Sequence, residues 1–484
     1  MPDRWKALLN EGRRKSSSTT KKSTTSGSRT EIERDYDRIL FSTPTRRLAD
    51  KTQVFPLDKN DSVRNRLTHS FEVSNLARSV GTSLAFEYKI AEQSANYLRN
   101  LPAICAAIGL VHDIGNPPFG HQGESAIQSW FKTNSAVLKP LENNEQQQLD
   151  FLKFEGNAQA FRLVSRLQLL NDNFGLDLTY ATLAAMMKYP TASNAINENS
   201  AAAKKHGFFA SEQEIAEDIL KRNGISLGTR HPLAFVMEAC DDIAYVVFDA
   251  EDSIKKGLAS ISDLHAWLRH EAQKGQTPDE LIMSVVKESE RKHNAYRERG
   301  DLSPAELNDV SMQRFRVAAI GAMIPVATRY FVDNEKQFLD GKITASLLAM
   351  TTAEPLRKAL KDFSLRHGYT HKSVLCIELG GYNVLRSLMD MFWAAIVDRK
   401  KAEDPASRRN HPFTRLVYDR ISENYRRIFE NPTEDPKRFP MRYHECLLLT
   451  DMVSGMTDSF AIDLHNELSR MVGDLDLKEF LTRA

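Results

Sequence analysis

From residue 70 onward, apolar positions recur at helical spacing. Phe71, Val73, Leu76, Val80 and Leu84 fall on one helical face, and Leu101, Ile104, Ala107 and Ile108 on another. The same periodicity predicts helices over residues 149–170, 180–188, 213–222, 234–255, 304–331, 353–367, 373–399 and 413–429, with a last one beginning near Arg442. Alternation of period two is nearly absent, and only residues 52–55 read as a short strand. The pattern therefore predicts an all-α fold with at most a few short strands and no internal repeat. Residues 400–412 and 431–440 are rich in proline and charge and read as loops or as places where subunits meet.

Composition changes this picture little. The chain has 484 residues, 41% hydrophobic and 27% charged, ordinary for a globular protein with a large core. No apolar run approaches the roughly 20 residues of a membrane span, and the first residues, Met-Pro-Asp-Arg-Trp-Lys, lack a signal-peptide core. The expectation is a cytoplasmic protein with no membrane partner. Cys105, Cys240, Cys376 and Cys446 are scattered without a Cys-x-x-Cys motif and read as buried free thiols. A net charge of +1 means that any anionic ligand must be met by local clusters of Lys and Arg. Residues 12–30 are polar, basic and of low complexity, which predicts a mobile arm or exposed loop. Arg13, Arg14, Lys15, Lys21 and Lys22 would be its contacts to nucleic acid, although such a stretch is more often a solvated terminus.

The candidate chemistry begins at His112-Asp113, an imidazole beside a carboxylate at the polar end of an apolar helix. Upstream stands His69 and downstream the acidic pair Asp241-Asp242. Two imidazoles and two carboxylates suit an open site for Mn, Fe, Mg or Co, because structural zinc sites usually add thiolates and close all four positions. Neighbouring helical residues do not share a face, so the ion would sit beside the helix with His69 and Asp241 approaching laterally. Either acid of the pair could serve; the spacing to Tyr245 and Asp249 favours Asp241. Each residue alone would be an ordinary core or surface side chain, and the argument rests on the set. The segment Gly115-Asn-Pro-Pro-Phe-Gly120 must turn, since two prolines bar helix continuation, and a new helix then places His121 and Glu124 on one face. An imidazole and a carboxylate so placed suit proton transfer; the bland alternative is a capping histidine and a first-turn glutamate.

Several longer strings carry a resemblance: Arg47-Leu-Ala-Asp-Lys-Thr-Gln-Val-Phe-Pro56, Asn60-Asp-Ser-Val-Arg-Asn-Arg-Leu-Thr-His-Ser70, His112 through Glu124, Phe154-Glu-Gly-Asn-Ala-Gln159, His231-Pro-Leu233 and Ser454-Gly-Met-Thr-Asp458. In this order they resemble the deoxyguanosine triphosphate triphosphohydrolases among the HD-domain phosphohydrolases. The resemblance implies a basic arm over residues 1–35, a helical HD catalytic core over 36–270, and a helical region over 271–484 that completes the nucleotide pocket and oligomer contacts. It implies one divalent metal per subunit, Mg or Mn with Fe or Co tolerated, held by His69, His112, Asp113 and Asp241, and a catalytic role for His121 and Glu124. Arg66, three residues before His69, would be the first phosphate ligand, joined by Lys188, Lys205 and Tyr245. Gln53, Val54, Asn157 and Asp249 would meet the deoxyribose, with close packing at Gln53 and Val54 excluding a ribose 2′-hydroxyl. Glu378 and Arg442 would read guanine. The implied reaction is hydrolysis of dGTP, and of other dNTPs, at the α-phosphate to deoxynucleoside and triphosphate. Implied partners are a homo-oligomer, often a hexamer, and single-stranded DNA. Two alternatives are a broader dNTP triphosphohydrolase or other HD nucleotide phosphodiesterase, and a non-catalytic nucleotide- or single-stranded-DNA-binding HD protein.

Overall fold

A computed structural model describes residues 2–18, 28–57, 60, 62–91, 94–168 and 173–482. The N-terminal half runs α1 (Pro2–Leu8), α2 (Arg14–Ser18), α3 (Glu31–Leu40), α4 (Thr43–Arg47), α5 (Arg66–Thr82), α6 (Ala95–Val111), α7 (Gly120–Thr133), α8 (Glu145–Leu152), α9 (Gly156–Arg162), α10 (Tyr180–Met186), α11 (Gln213–Arg222) and α12 (Pro232–Lys255). There follow α13 (Ile261–Ala272), α14 (Glu280–Arg299), α15 (Pro304–Asp333), α16 (Glu335–Leu339), α17 (Glu354–Ser364), α18 (Lys372–Val397), α19 (Pro412–Asp419), α20 (Glu423–Glu430), α21 (Met441–Ser454) and α22 (Asp458–Ser469). The fold is all-α, and the described residues contain no strand. Where residues 52–55 suggested one, Thr52 makes a single bridge to Asn65.

The start of α5 is set locally. Asn65 accepts from the Thr68 amide while Thr68 Oγ1 accepts from the Asn65 amide, a reciprocal cap that answers two otherwise orphaned donors. Along its length α5 packs on α6, whose buried face includes Leu101, Ile104, Ala107, Ile108 and Val111. The long helix α12 packs against both, and Asp241, near its middle, meets the first turn of α5 and the C-terminal end of α6. Helix α15 flanks α12 on the far side. Where no run was expected to approach a membrane span, α15 is long and apolar enough to cross a membrane by length and composition, and 33% of its most apolar window is buried in this fold. Helix α18 joins α7 to the C-terminal helices α19, α21 and α22.

Several boundaries differ from the periodicity. The stretch 149–170 divides into α8 and α9 at Lys153–Glu155, and 413–429 divides at Arg420–Ser422. Helices α13 and α14 were not among the expected helices; polar residues dominate α14, which buries only Ile282, Val285, Val286 and Ser289, whereas α13 buries Ile261, Leu264, His265, Leu268 and Ala272 at helical spacing. The basic N-terminal stretch is also corrected where it is described. Trp5, Leu8 and Leu9 are buried; Arg13 pairs with Asp35 at 2.8 Å and Glu31 at 2.9 Å. Arg14 donates to the Ser165 carbonyl at 2.8 Å and lies over Phe174. Acids and carbonyls of the fold thus engage two of the arginines expected on a mobile arm, while Lys21 and Lys22 lie outside the described residues. Cys105, Cys240 and Cys446 are buried, but Cys376 is exposed on α18, whose first turns stand partly clear of the core.

Candidate active site

Helix α6 ends at His112, whose Nδ1 donates to the Gly109 carbonyl at 2.7 Å. That bond fixes the tautomer and leaves Nε2 bare, buried and without a hydrogen bond. From α12, Asp241 Oδ1 approaches this nitrogen to 3.4 Å and His69 Nε2 on α5 to 3.2 Å. Ligand atoms of His69, His112 and Asp241 all lie within 4.8 Å of one another. Burial alone would lower the pKa of His112, but Asp113 and Asp241 outweigh it and push it up to about 9. Asp241, which burial would raise, is held well below the usual carboxylate range by His112 and His69. A buried imidazole nitrogen with no partner, beside an ionised carboxylate, is a donor set that fits a divalent cation.

Asp113 stands at the edge of this cluster. Its Oδ2 is 3.6 Å from His112 Nε2 but is engaged by Arg66, and its Oδ1 accepts from Asn116 Nδ2 at 2.6 Å. Against burial, Arg66 and His112 bring its pKa down to about 2. The structure also separates the acidic pair: Asp241 faces the imidazoles, while burial pushes Asp242 up to about 6.

The turn after His112 is built for close approach. A Cβ on Gly115 would lie 2.1 Å from the Gly156 carbonyl oxygen, so only glycine lets the turn touch α9. Phe119 then adopts φ 58°, ψ 21°, a left-handed conformation costing on the order of 1 kcal/mol for a residue with a side chain. It caps α7, which carries His121 and Glu124. His121 Nδ1 lies 3.1 Å from Glu124 Oε2, and Glu124 Oε1 accepts from the Gly156 amide at 2.9 Å. The imidazole is exposed and the carboxylate buried, and the His121 hydrogen bond overcomes burial to lower the Glu124 pKa.

Cations gather around these groups, each engaged by an acid. Arg66 binds Asp113, Lys188 Nζ lies 3.5 Å from Asp241 and 3.8 Å from Glu238, and Lys205 Nζ is 2.7 Å from Glu155. Asn157 donates to the same Glu155 at 2.7 Å. Further along α12, Tyr245 stacks on Tyr369 with centroids 6.2 Å apart, and the Tyr369 hydroxyl donates to Asp249. Val54 is buried with Phe55 and Val374, with Tyr369 packed against them, and Gln53 Oε1 is buried without a partner. Tyr369 went unread in the sequence, where nothing ties it to an acid 120 positions earlier. Glu378, on α18, is close enough to feel the charge of His121, and burial raises its pKa.

Arg442 is not brought to Glu378. It pairs with Glu445 at 3.0 Å and lies 4.9 Å over Trp393. Trp393 is fifteen residues beyond Glu378 on α18, roughly 22 Å along a helix axis. The buried acid and aromatic ring hold this guanidinium in the C-terminal packing.

Comparisons with known proteins give the family. An HD-domain profile matches residues 66–188. A deoxyguanosinetriphosphate triphosphohydrolase-like protein of Listeria monocytogenes is 34% identical, over 96% of this chain and 99% of its own. One from Synechocystis is 33% identical over 91% of this chain and 94% of its own. The deoxyguanosinetriphosphate triphosphohydrolase of Serratia proteamaculans is 31% identical over 90% of this chain and 93% of its own. The chain belongs to the deoxyguanosinetriphosphate triphosphohydrolase family of HD-domain proteins.

Proposed function

We propose that this protein hydrolyses dGTP at the α-phosphate, in a divalent-metal-dependent reaction, to deoxyguanosine and intact triphosphate. The observation that carries the proposal is the convergence of His69, His112 and Asp241 within 4.8 Å beside the His121–Glu124 pair. Those three residues and the bordering Asp113 would hold Mg or Mn, with Fe and Co tolerated by the same ligands. When bound, such an ion supplies Lewis-acid charge at the phosphoryl oxygens. His121, held by ionised Glu124, is the proton donor to the 5′-oxygen that leaves as water bonds to the α-phosphorus, the P–O5′ bond breaks and the water's surplus proton passes to solvent. Arg66, Lys188, Lys205 and Tyr245 bind the phosphate chain, and the three cations exchange their acid partners for phosphate oxygens to do so. Gln53, Val54, Asn157 and Asp249 position the deoxyribose, with Tyr369 orienting Asp249, and Glu378 faces the base. In this reading residues 36–270 supply metal and phosphate groups and residues 271–484 complete the pocket. The same proposal includes a cytoplasmic homo-oligomer, a hexamer in its expected form, with single-stranded DNA as a further partner.

A second reading, a broader dNTP triphosphohydrolase, is favoured by one observation. Arg442, the second expected guanine contact, is engaged by Glu445 and Trp393. Product analysis with each deoxynucleoside and ribonucleoside triphosphate plus Mn or Mg, alongside His112→Ala and Glu124→Ala, tests both. Deoxyguanosine and triphosphate, lost in both variants, is the expected result. Release of dGDP with phosphate, or of dGMP with pyrophosphate, would overturn the scheme, and equal turnover of all four dNTPs would select the broader reading.

A further inference from the structure

The string Ser454-Gly-Met-Thr-Asp458 belongs to none of the roles assigned so far, yet it reaches the active site from the far end of the chain. Asp458 is buried in the first turn of α22. Its Oδ2 accepts from the Thr52 amide at 2.9 Å and from the Thr52 hydroxyl. Its Oδ1 accepts from the Phe119 amide at 3.0 Å. These are unlike targets. Thr52 directly precedes Gln53 and Val54, and its bridge partner Asn65 caps the helix that carries Arg66 and His69. Phe119 is the left-handed residue that caps the helix of His121 and Glu124. Its ring is seated against Gly381 of α18, where any Cβ would come within 2.4 Å of it. Beside them Lys51, also buried, donates to the Asn116 carbonyl at 2.5 Å and the Ser454 carbonyl at 2.8 Å.

We propose that Asp458 is a positioning residue: one carboxylate clamps the Thr52–Val54 segment and the strained Phe119–Gly120 turn together, setting the aim of His121 and Glu124 and the packing at the sugar 2′ carbon. Two carboxyl oxygens that accept suit three converging donors, and they hold a backbone conformation that Phe119 would otherwise leave. The inference rests on the proposed roles of His121, Glu124, Gln53 and Val54. It goes further in making proton transfer and deoxyribose selection depend on one distant side chain.

Asp458→Asn presents a donor to at least one of these donors while keeping shape and volume, and Thr52→Val deletes only the hydroxyl contact. Ser459→Ala, whose hydroxyl meets Asp50 on the exposed side of α22, serves as a control. With dGTP and Mn, Asp458→Asn is expected to lower kcat about ten- to hundredfold with KM nearly unchanged, as a small misplacement of reacting groups does. It should also narrow the dGTP-to-GTP preference, and Thr52→Val should reproduce the narrowed preference with a smaller loss of kcat. Unaltered Mn binding would separate this from a loss of folded protein. A folded Asp458→Asn with kcat and preference within twofold of the unaltered protein overturns the inference, as does a kcat loss matched by lost Mn sites. His121→Ala in the same assay reports on the underlying reading: if it turns over like the unaltered protein, that reading fails. Hydrogen exchange then judges the clamp by itself. Lost protection in Asp458→Asn over residues 119–123 and 51–55, with 66–82 unchanged, supports the clamp, and unchanged protection at both segments overturns it.

Discussion

His112 Nε2 and Asp241 Oδ1 stand 3.4 Å apart where α6 meets α12, the imidazole tethered by Gly109 and the carboxylate shared with His69. The imidazole is therefore prepared to take either a proton or a metal ion at the same nitrogen.

That competition predicts a pH dependence. With a pKa of about 9 against an ordinary 6.5, His112 carries its proton in the metal-free protein at neutral pH. The proton stabilises the metal-free fold fully below 6.5, and the contribution disappears as pH rises through about 9. Metal affinity runs the opposite way and should rise about tenfold per pH unit across that window, since the ligand must first lose its proton. Calorimetric titration with Mn at several pH values checks this; an affinity independent of pH would contradict it.

The two adjacent acids should behave differently. Asp241→Asn removes a negative charge shared by two imidazoles and is expected to abolish Mn binding and lower turnover by about a hundredfold or more. Asp242→Asn should keep both within a few fold. Equal effects in the two variants would mean that the wrong acid has been placed at the metal.

Glu124 acts on the reaction through His121. Glu124→Gln keeps an oxygen for the Gly156 amide but removes the charge beside the imidazole. Loss of about 10²–10⁴ in kcat, with Mn affinity preserved, is the expected outcome. A fall in Mn affinity as large as the fall in kcat would place Glu124 at the metal instead.

Tyr369→Phe frees Asp249 of its hydroxyl partner while leaving the ring stacked on Tyr245. If Asp249 receives the sugar 3′-hydroxyl, the preference for dGTP over its 2′,3′-dideoxy analogue should shrink by about tenfold, the worth of one hydrogen bond. An unchanged preference would separate Asp249 from the sugar.

Arg442→Ala tests a structural placement. Loss of its pair with Glu445 and its stacking over Trp393 should cost about 1–3 kcal/mol, read by denaturant unfolding, because Glu445 keeps Arg399 as a second partner. The relative rates with the four dNTPs should stay as they were. A change of base preference without loss of stability would return Arg442 to the pocket.

The sequence by itself determined the helical class, because apolar residues at three- and four-residue spacing can be buried together only on a helix. It also singled out His69, His112, Asp113 and Asp241, since two imidazoles and two carboxylates form a set whose joint chemistry suits a divalent ion. The strongly polar α14 and the docking of Arg13 were illegible, because their periodicity is weak or their partners lie far away in sequence. Only the tertiary structure decided that Tyr369 reaches Asp249, that Asp458 holds both Thr52 and Phe119, and that Arg442 stays with Trp393. Each is a contact between side chains or turns brought together by helix packing, and local spacing carries no record of which distant group will fill the neighbouring space.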